Sequence, residues 1–156
     1  MKKAFTMIEL VFVIVIIGIL AAVAIPKLSA TRDDAKISSI VANSRTLKND
    51  LAAYYTAQGG SVWDNNATIT AATNVNVKTQ DCTADANTTL PQGFYSLCDD
   101  KSPCLNFNTT AGGVLNIVNG SDTTGEVCVG IQTDPVILYM ISASPHDLSA
   151  LKVTRN

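Results

Sequence analysis

The chain has 156 residues and a formal net charge of −2, a length that suits one domain with a modest hydrophobic core. Residues 27–58 carry five basic and three acidic side chains, whereas residues 59–151 carry nine acidic and two basic ones. Because an acidic domain offers no electrostatic footprint for a phosphate backbone, we do not expect this chain to bind nucleic acid.

An apolar segment near the N-terminus is the most unusual part of the sequence. Residues 10–25 contain no charged or strongly polar side chain, and Met7 and Ile8 lengthen the run to roughly the 17–25 residues that span a bilayer. Lys2 and Lys3 precede it, and positive charge beside an apolar helix holds that end in the cytoplasm. We therefore expect the rest of the chain to lie outside the cytoplasm.

Glu9 stands at the entry of this apolar run. A carboxylate costs about 2.5–3.5 kcal/mol at the centre of a membrane helix and less near the interface, so such a residue is seldom found without a partner or a task. A signal sequence that is simply discarded would not need it.

The run Ala4-Phe5-Thr6-Met7-Ile8-Glu9-Leu10 resembles the processing site of type IV pilins and of type II secretion pseudopilins. The resemblance covers about the first fifty-five residues. It implies that a prepilin peptidase cuts between Ala4 and Phe5 and N-methylates Phe5. Family members more often have Gly before the cut, so Ala4 bears on the efficiency of cleavage.

The same resemblance implies how the mature protein assembles. Its assembly residues would be Thr6, Glu9, Gly18 and Pro26. The Glu9 carboxylate is expected to meet the free amine of Phe5 on a neighbouring subunit, so that each buried charge neutralises the other. The same contact would set the register of copies along a filament.

A conventional secretory signal is the alternative interpretation. Lys2, Lys3 and the apolar run, followed by Ala22-Val23-Ala24, also fit a cleaved signal peptide that releases a soluble binding protein beginning at Ile25. Glu9 and Thr6 count against it, as does the helical pattern that continues beyond the supposed cut. The mature N-terminus distinguishes the two classes of protein.

Residues 27–57 carry apolar side chains spaced by threes, fours and one gap of six, which predicts an amphipathic helix with one buried stripe. The stripe consists of Ile37, Ile40, Val41, Leu47, Leu51, Tyr54 and Tyr55. Gln58-Gly59-Gly60 is a typical helix end. Pro26 either kinks the helix or begins a second one at its first turn.

A helix from Phe5 to Ala57 would have about fifty-three residues and a length of roughly 80 Å at 1.5 Å per residue. A domain of this size could not bury it, so the apolar half must contact lipid or other copies. Copies docked head to tail without closure would form a helical filament.

Beyond Ser61 the composition shifts to Asn, Thr, Ser, Gly and Asp. Residues 65–89 are predicted to form an irregular loop with at most one small strand. Strands are predicted at residues 105–108, 114–118 and 127–132, in an antiparallel meander. Residues 136–142 fit a strand or a buried turn of helix, and a short helical turn is expected around residues 147–151.

The four cysteines lie in this polar region, and an even number outside the cytoplasm predicts two disulfides. They are Cys82, Cys98, Cys104 and Cys128. Three pairings are possible; we favour Cys82 with Cys98 and Cys104 with Cys128, because the second would join the first and last strands of the meander. A zinc site is the alternative. The sequence has no Cys-x-x-Cys pair and only one histidine, His146, and both observations count against zinc.

No other constellation predicts a cofactor or an enzyme. Asp99-Asp100, and Asp122 with Glu126, leave calcium in the head as an alternative to no cofactor. His146 and Asp147 lack a nucleophile motif, and we expect this histidine to lie exposed in the tail.

Four Asn-x-Ser/Thr triplets begin at Asn66, Asn87, Asn108 and Asn119. Asp64 and Asp85 stand two residues before the first two of these asparagines, which resembles the longer acceptor pattern of some bacterial glycosylation systems. In a loop rich in Asn and Thr, composition alone also produces such triplets.

These patterns predict an α+β, pilin-like fold in which a long N-terminal helix packs on a small antiparallel β-sheet head. Residues 1–4 would be the leader, 5–26 the transmembrane and assembly helix, 27–58 its amphipathic continuation and 59–156 the disulfide-bonded head. The expected function is that of a non-enzymatic subunit of a type IV filament in the bacterial inner membrane. Its partners would be further copies, related pilins, the prepilin peptidase and an assembly platform; pilus, secretion and competence systems remain open.

Overall fold

The computed structural model describes residues 5–151, apart from the side chains of Ser29, Ala150 and Leu151. Residues 1–4, the predicted leader, and residues 152–156 lie outside the described part. The chain divides into two compact units, the first ending at Ala35 and the second beginning at Lys36. One helix, α1 (Met7–Gln58), contributes residues to both.

The length of α1 confirms the prediction of a single long helix, although it begins two residues later than Phe5. Pro26 lies inside it, so the interpretation of Pro26 as the first turn of a second helix is wrong. A proline removes one backbone donor, and here the helical segments on both sides persist. The helix ends at Gln58 as predicted, and Gly59 follows with a φ of +79°, a left-handed conformation that glycine adopts without strain.

The second unit is built on the predicted stripe of α1. Val41, Leu47 and Leu51 are buried, and the other four stripe residues are partly buried against the same core. The gap of six in the stripe is occupied by Ser44, which is fully buried. Its hydroxyl donates to the Ile40 carbonyl at 2.7 Å, which satisfies a polar group that would otherwise be costly to bury.

A four-stranded antiparallel sheet covers this stripe. Its strands are β1 (Phe94–Asp99), β2 (Ser102–Thr110), β3 (Val114–Asn119) and β4 (His146–Asp147), and they pair in sequence order. The strands predicted at 105–108 and 114–118 are therefore confirmed, whereas β1 and β4 were not predicted. Alternate residues of β2 and β3, among them Leu105, Phe107, Leu115 and Ile117, are fully buried, as expected for strands with one face on a core.

The strand predicted at residues 127–132 is wrong. These residues form helix α4 (Glu126–Thr133), which buries Val127, Cys128, Ile131 and Gln132. Spacings of one, three and one place these four side chains on one helical face, and that face packs on the sheet. The β-branched valines and isoleucine of the segment favour strands only weakly, and packing overrides that preference.

Helix α5 (Pro135–Ser142) confirms the helical alternative for residues 136–142 and extends it to a full element. Asp134 caps it by accepting from the Val136 amide at 2.8 Å, and Pro135 occupies the first turn, where its missing donor costs nothing. A 3-10 turn at Leu148–Leu151 matches the helical turn expected in the tail.

The polar segment after α1 contains two short helices rather than a strand. They are α2 (Gly60–Asn65) and α3 (Ile69–Ala72), and a 3-10 turn at Leu90–Gln92 precedes β1. Trp63 of α2 is fully buried. Its indole N–H donates to the Thr110 carbonyl at 3.1 Å, and its ring meets that of Tyr55 edge to face, with centroids 5.4 Å apart.

Both disulfides have the pairing favoured from the sequence. Cys82 is bonded to Cys98 and Cys104 to Cys128, with Cα atoms 6.1 Å and 4.6 Å apart. The reason given for the second pair was wrong, however, because Cys128 lies on α4 and not on a strand. This bond therefore joins a helix to β2.

The loop between β3 and α4 is organised by Asp122. Its carboxylate Oδ1 accepts from the backbone N–H groups of Thr124 at 3.0 Å and Gly125 at 2.9 Å. Hydrogen bonds from Gly125 and Thr124 lower the pKa of Asp122 to about 2. The buried Gln132 amide donates to the Asp122 carbonyl at 2.8 Å, so the loop is fixed from both sides.

Acid should weaken this loop in a way that depends on Asp122. Since the folded-state pKa lies below the unfolded value, the carboxylate stabilises the fold above about pH 4, and that contribution is lost as the pH falls toward 2. Asp122→Asn, which keeps an acceptor but does not titrate, should flatten the dependence of the unfolding midpoint on pH in this range. Identical acid-unfolding curves for the two proteins would contradict this assignment.

The stripe should carry much of the stability of the second unit. Leu51→Ala removes a fully buried side chain and should lower the free energy of unfolding by about 2–5 kcal/mol. The matched control Thr46→Ala changes an exposed residue of the same helix and should cost within about 0.5 kcal/mol. Urea unfolding of the full chain in detergent, followed by Trp63 fluorescence, would measure both; equal losses would contradict the packing described.

Candidate functional site

The first half of α1 exposes an apolar surface that surrounds the helix. We define residues 7–28 as the apolar segment; all its large apolar side chains are exposed, from 41% at Ile16 to 87% at Met7. Soluble monomeric proteins rarely expose apolar patches larger than a few hundred Å². A helix that is apolar all round is typical of a membrane span or of a helix buried by other protein.

Within the described residues, α1 is long and apolar enough to cross a bilayer, and none of its most apolar window is buried. Length and composition are the basis of this finding, and a signal sequence would satisfy the same criteria. The apolar segment is therefore the candidate functional site. Four residues in or beside it, Thr6, Glu9, Gly18 and Pro26, are those predicted to act in assembly.

Thr6 and Glu9 form a reciprocal cap at the start of α1. Thr6 directly precedes the first helical residue, and its carbonyl accepts from the Leu10 amide at 3.3 Å. Glu9 Oε2 accepts from the Thr6 backbone N–H at 2.9 Å and from the Thr6 hydroxyl at 2.7 Å. The Glu9 N–H donates in turn to Thr6 Oγ1 at 3.4 Å. This is the capping-box arrangement, in which two backbone donors that the helix leaves unsatisfied find acceptors.

This cap was not predicted, although Thr-x-x-Glu before an apolar run is its usual sequence signature. The cap gives Glu9 a partner within its own chain and places a carboxylate at the positive end of the helix dipole. The neighbouring-subunit partner expected from the resemblance stays a prediction. Phe5, 85% exposed, is adjacent in sequence to the Thr6 amide that contacts Glu9.

Gly18 and Pro26 have no evident role inside the described part of the chain. A Cβ added at Gly18 would have no heavy atom within 4 Å beyond the backbone of its own helix, and Pro26 is exposed. The chain itself gives no steric reason for either residue. Ala4, the residue before the predicted cut, lies outside the described residues.

The acidic side chains considered for calcium have other contacts in the part of the chain that the structure covers. Among residues 5–151 there is no set of three His, Cys, Asp or Glu side chains placed to hold a metal ion. Asp99, considered for calcium, pairs with Lys36 of α1 at 2.6 Å. Asp122 caps the loop described above.

The prediction that His146 lies exposed in the tail is wrong. His146 is half-buried in β4, where it pairs with Leu115 of β3. Its Nε2 lies 2.9 Å from the Met140 carbonyl, and burial lowers the pKa of the ring. The reason is that residues 146–147 return to the sheet and add a short edge strand, which the sequence pattern did not reveal.

Comparison with protein families identifies the N-terminal segment. Residues 1–25 match the model of the prokaryotic N-terminal methylation motif, the signature of the prepilin-type segment of type IV pilins and pseudopilins. No curated protein and no solved structure matches the chain significantly. The resemblance noted from residues 4–10 is thereby confirmed, and the long helix followed by a four-stranded antiparallel sheet is pilin-like. The motif favours a structural rather than a catalytic role.

Removing the Thr6 cap should loosen the first turn of α1. Thr6→Val keeps the shape but removes the hydroxyl, a loss of about 1 kcal/mol for a helix cap, whereas Thr6→Ser keeps it. Amide hydrogen exchange in detergent micelles should therefore be roughly fivefold faster at Glu9 and Leu10, whose amides donate to Thr6, in Thr6→Val than in Thr6→Ser. Equal exchange in the two variants would show that the cap does not hold the turn.

Proposed function

We propose that this chain is a structural subunit of a type IV filament, a pilus or a pseudopilus, made as a prepilin and assembled through the apolar segment. The observation that carries the proposal is the exposure of every large apolar side chain between residues 7 and 28, in a chain whose first 25 residues match the methylation motif. Such a surface is stable only against lipid or against other protein.

Before assembly, the subunit is anchored in the inner membrane by the apolar segment. Lys2 and Lys3 hold the leader in the cytoplasm, so the head lies on the other side. The two disulfides fit that location, because disulfides persist in oxidising compartments such as the periplasm. The prepilin peptidase then cuts between Ala4 and Phe5 and N-methylates the new terminus.

Assembly transfers the apolar segment from lipid to neighbouring copies and related pilins, on a platform in the inner membrane. Each copy has one such segment and needs several neighbours to cover it on all sides. Contacts of this kind are head to tail, and when they do not close into a ring they generate a helical filament.

Glu9 is suited to a charged partner in that filament. Both hydrogen bonds from Thr6 end on Oε2, and Oε1 accepts none from the described residues. The carboxylate can therefore keep its cap and still accept the free amine of Phe5 on a neighbouring subunit. Away from water, opposite charges in contact attract strongly enough to offset much of their desolvation.

Substitution of Glu9 tests the proposal and separates its cap from its charge. Glu9→Gln keeps the capping box, in which Gln serves as well as Glu, but removes the charge. We expect this variant to be made, inserted and disulfide-bonded like the wild type, yet to yield at least tenfold fewer sheared filaments, roughly the effect of 1.4 kcal/mol.

Two further variants complete the experiment. Glu9→Leu, which loses cap and charge, should assemble no better than Glu9→Gln. Asp34→Leu removes an exposed carboxylate of α1 outside the apolar segment and should form filaments normally. Abundant filaments from Glu9→Gln would contradict the role of the charge, and abundant filaments from Glu9→Leu would contradict assembly through this residue altogether.

A further inference from the structure

Two pentads in the head share one pattern that the filament function does not use. Residues 64–68 read Asp-Asn-Asn-Ala-Thr and residues 85–89 read Asp-Ala-Asn-Thr-Thr. Each contains an Asn-x-Thr triplet, the minimal acceptor for an N-linked glycan, and each has an aspartate two residues before the asparagine. The triplets at Asn108 and Asn119 have Asn106 and Ile117 at that place instead.

The fold brings the two pentads side by side. Their last residues, Thr68 and Thr89, are partners in an antiparallel bridge. The Ile69 amide donates to the Thr88 carbonyl at 3.2 Å, and the Leu90 amide to the Ala67 carbonyl at 2.9 Å. Two segments that are distant in sequence thus form one surface of the second unit.

The acceptor asparagines differ in their surroundings. Asn66 and Asn87 are exposed, and among residues 5–151 neither side-chain amide has a hydrogen-bond partner. Asn108 is half-buried in the middle of β2, paired with Phe94 on one side and with Asn116 on the other. A glycan at Asn66 or Asn87 would extend into solvent without displacing a contact of the fold, whereas a glycan at Asn108 would crowd three strands.

We propose that Asn66 and Asn87 are acceptor sites for N-linked glycans, donated by a lipid diphosphate-linked oligosaccharide. The asparagine Nδ2 forms a bond to the anomeric carbon of the first sugar. The bond from that carbon to the phosphate oxygen breaks, and the lipid diphosphate leaves with the electron pair. The amide proton passes to a base of the transferring enzyme. This glycan proposal rests on the proposed function in one respect, because it requires the head to lie outside the cytoplasm.

A cleft lies next to the second pentad. It has a volume of about 310 Å³, and Asp85 and Ala86 form part of its wall. The other lining residues include Thr70, Asn74 and Asn76, all exposed. Their hydroxyl and amide groups are hydrogen-bonding partners for sugar hydroxyls, and the aliphatic side chains of Ile69, Val75 and Val77 also line the cleft.

The two aspartates also make contacts within the fold. These contacts give an alternative, purely structural reason for an aspartate at positions 64 and 85. Asp64 accepts from the Gly112 amide at 2.9 Å, and Asp85 pairs with Lys78. Both carboxylates remain exposed. The experiment therefore has to follow the glycan itself and not the stability of the head.

Mass spectrometry of peptides from the full-length protein, purified from its native cells, is the test. Peptides containing Asn66 and Asn87 should carry mass increments of whole sugars, and the peptide containing Asn108 should not. Asn66→Gln and Asn87→Gln should each remove the increment at one site only. Thr89→Ser, which keeps the hydroxyl, should retain the glycan at Asn87, and Thr89→Val should lose it.

The disulfides of the same sample show whether the head was exported. Unmodified Asn66 and Asn87 in a protein with both disulfides formed would overturn the glycan proposal and leave the filament proposal standing. Unmodified asparagines with reduced cysteines would overturn both. Increments that survive Asn66→Gln and Asn87→Gln would place the sugar on a hydroxyl and also overturn the proposal.

Discussion

The exposed apolar segment of α1 is the constraint on which the rest of this structure depends. At about 25 cal/mol per Å² of apolar surface removed from water, a helix that is apolar all round gains far more by burial than any single contact of the head supplies. A helix satisfies its backbone hydrogen bonds internally, so the same segment can lie in lipid or among protein neighbours without changing conformation. The proposed membrane anchoring and the proposed filament assembly would thus both cover the same apolar surface.

The start of this helix carries a second problem, because its first amides have no partners within the helix. The capping box of Thr6 and Glu9 satisfies two donors there. Glu9 is therefore needed by its own chain even before a neighbour is considered. Its free Oε1 leaves room for a charged partner, so the same carboxylate could also take part in the proposed contact with a neighbouring subunit.

The elements predicted best from the sequence were those in which apolar residues recur with a regular spacing. The stripe of α1 repeats over about five turns, and only its gap, filled by the buried Ser44, needed the structure to explain it. Helix α4 was mistaken for a strand because eight residues hold too few turns for the period to outweigh β-branched composition. Strand β4 was missed because its two residues pair with β3, which is distant in sequence. Strand β1 was missed although it forms a hairpin with β2, its neighbour in sequence. The site was predicted as a set of residues, but the cap that joins Thr6 to Glu9 was not.

The mature N-terminus of the protein in its native membrane is the most direct test of the account. Mass spectrometry of the terminal peptide should find N-methylated Phe5, which would mean that the whole apolar segment remains in the mature chain. A terminus at Ile25 would contradict the account, because the segment would have been removed as a signal peptide. The head would then be a secreted, disulfide-bonded protein with no means of assembling through α1.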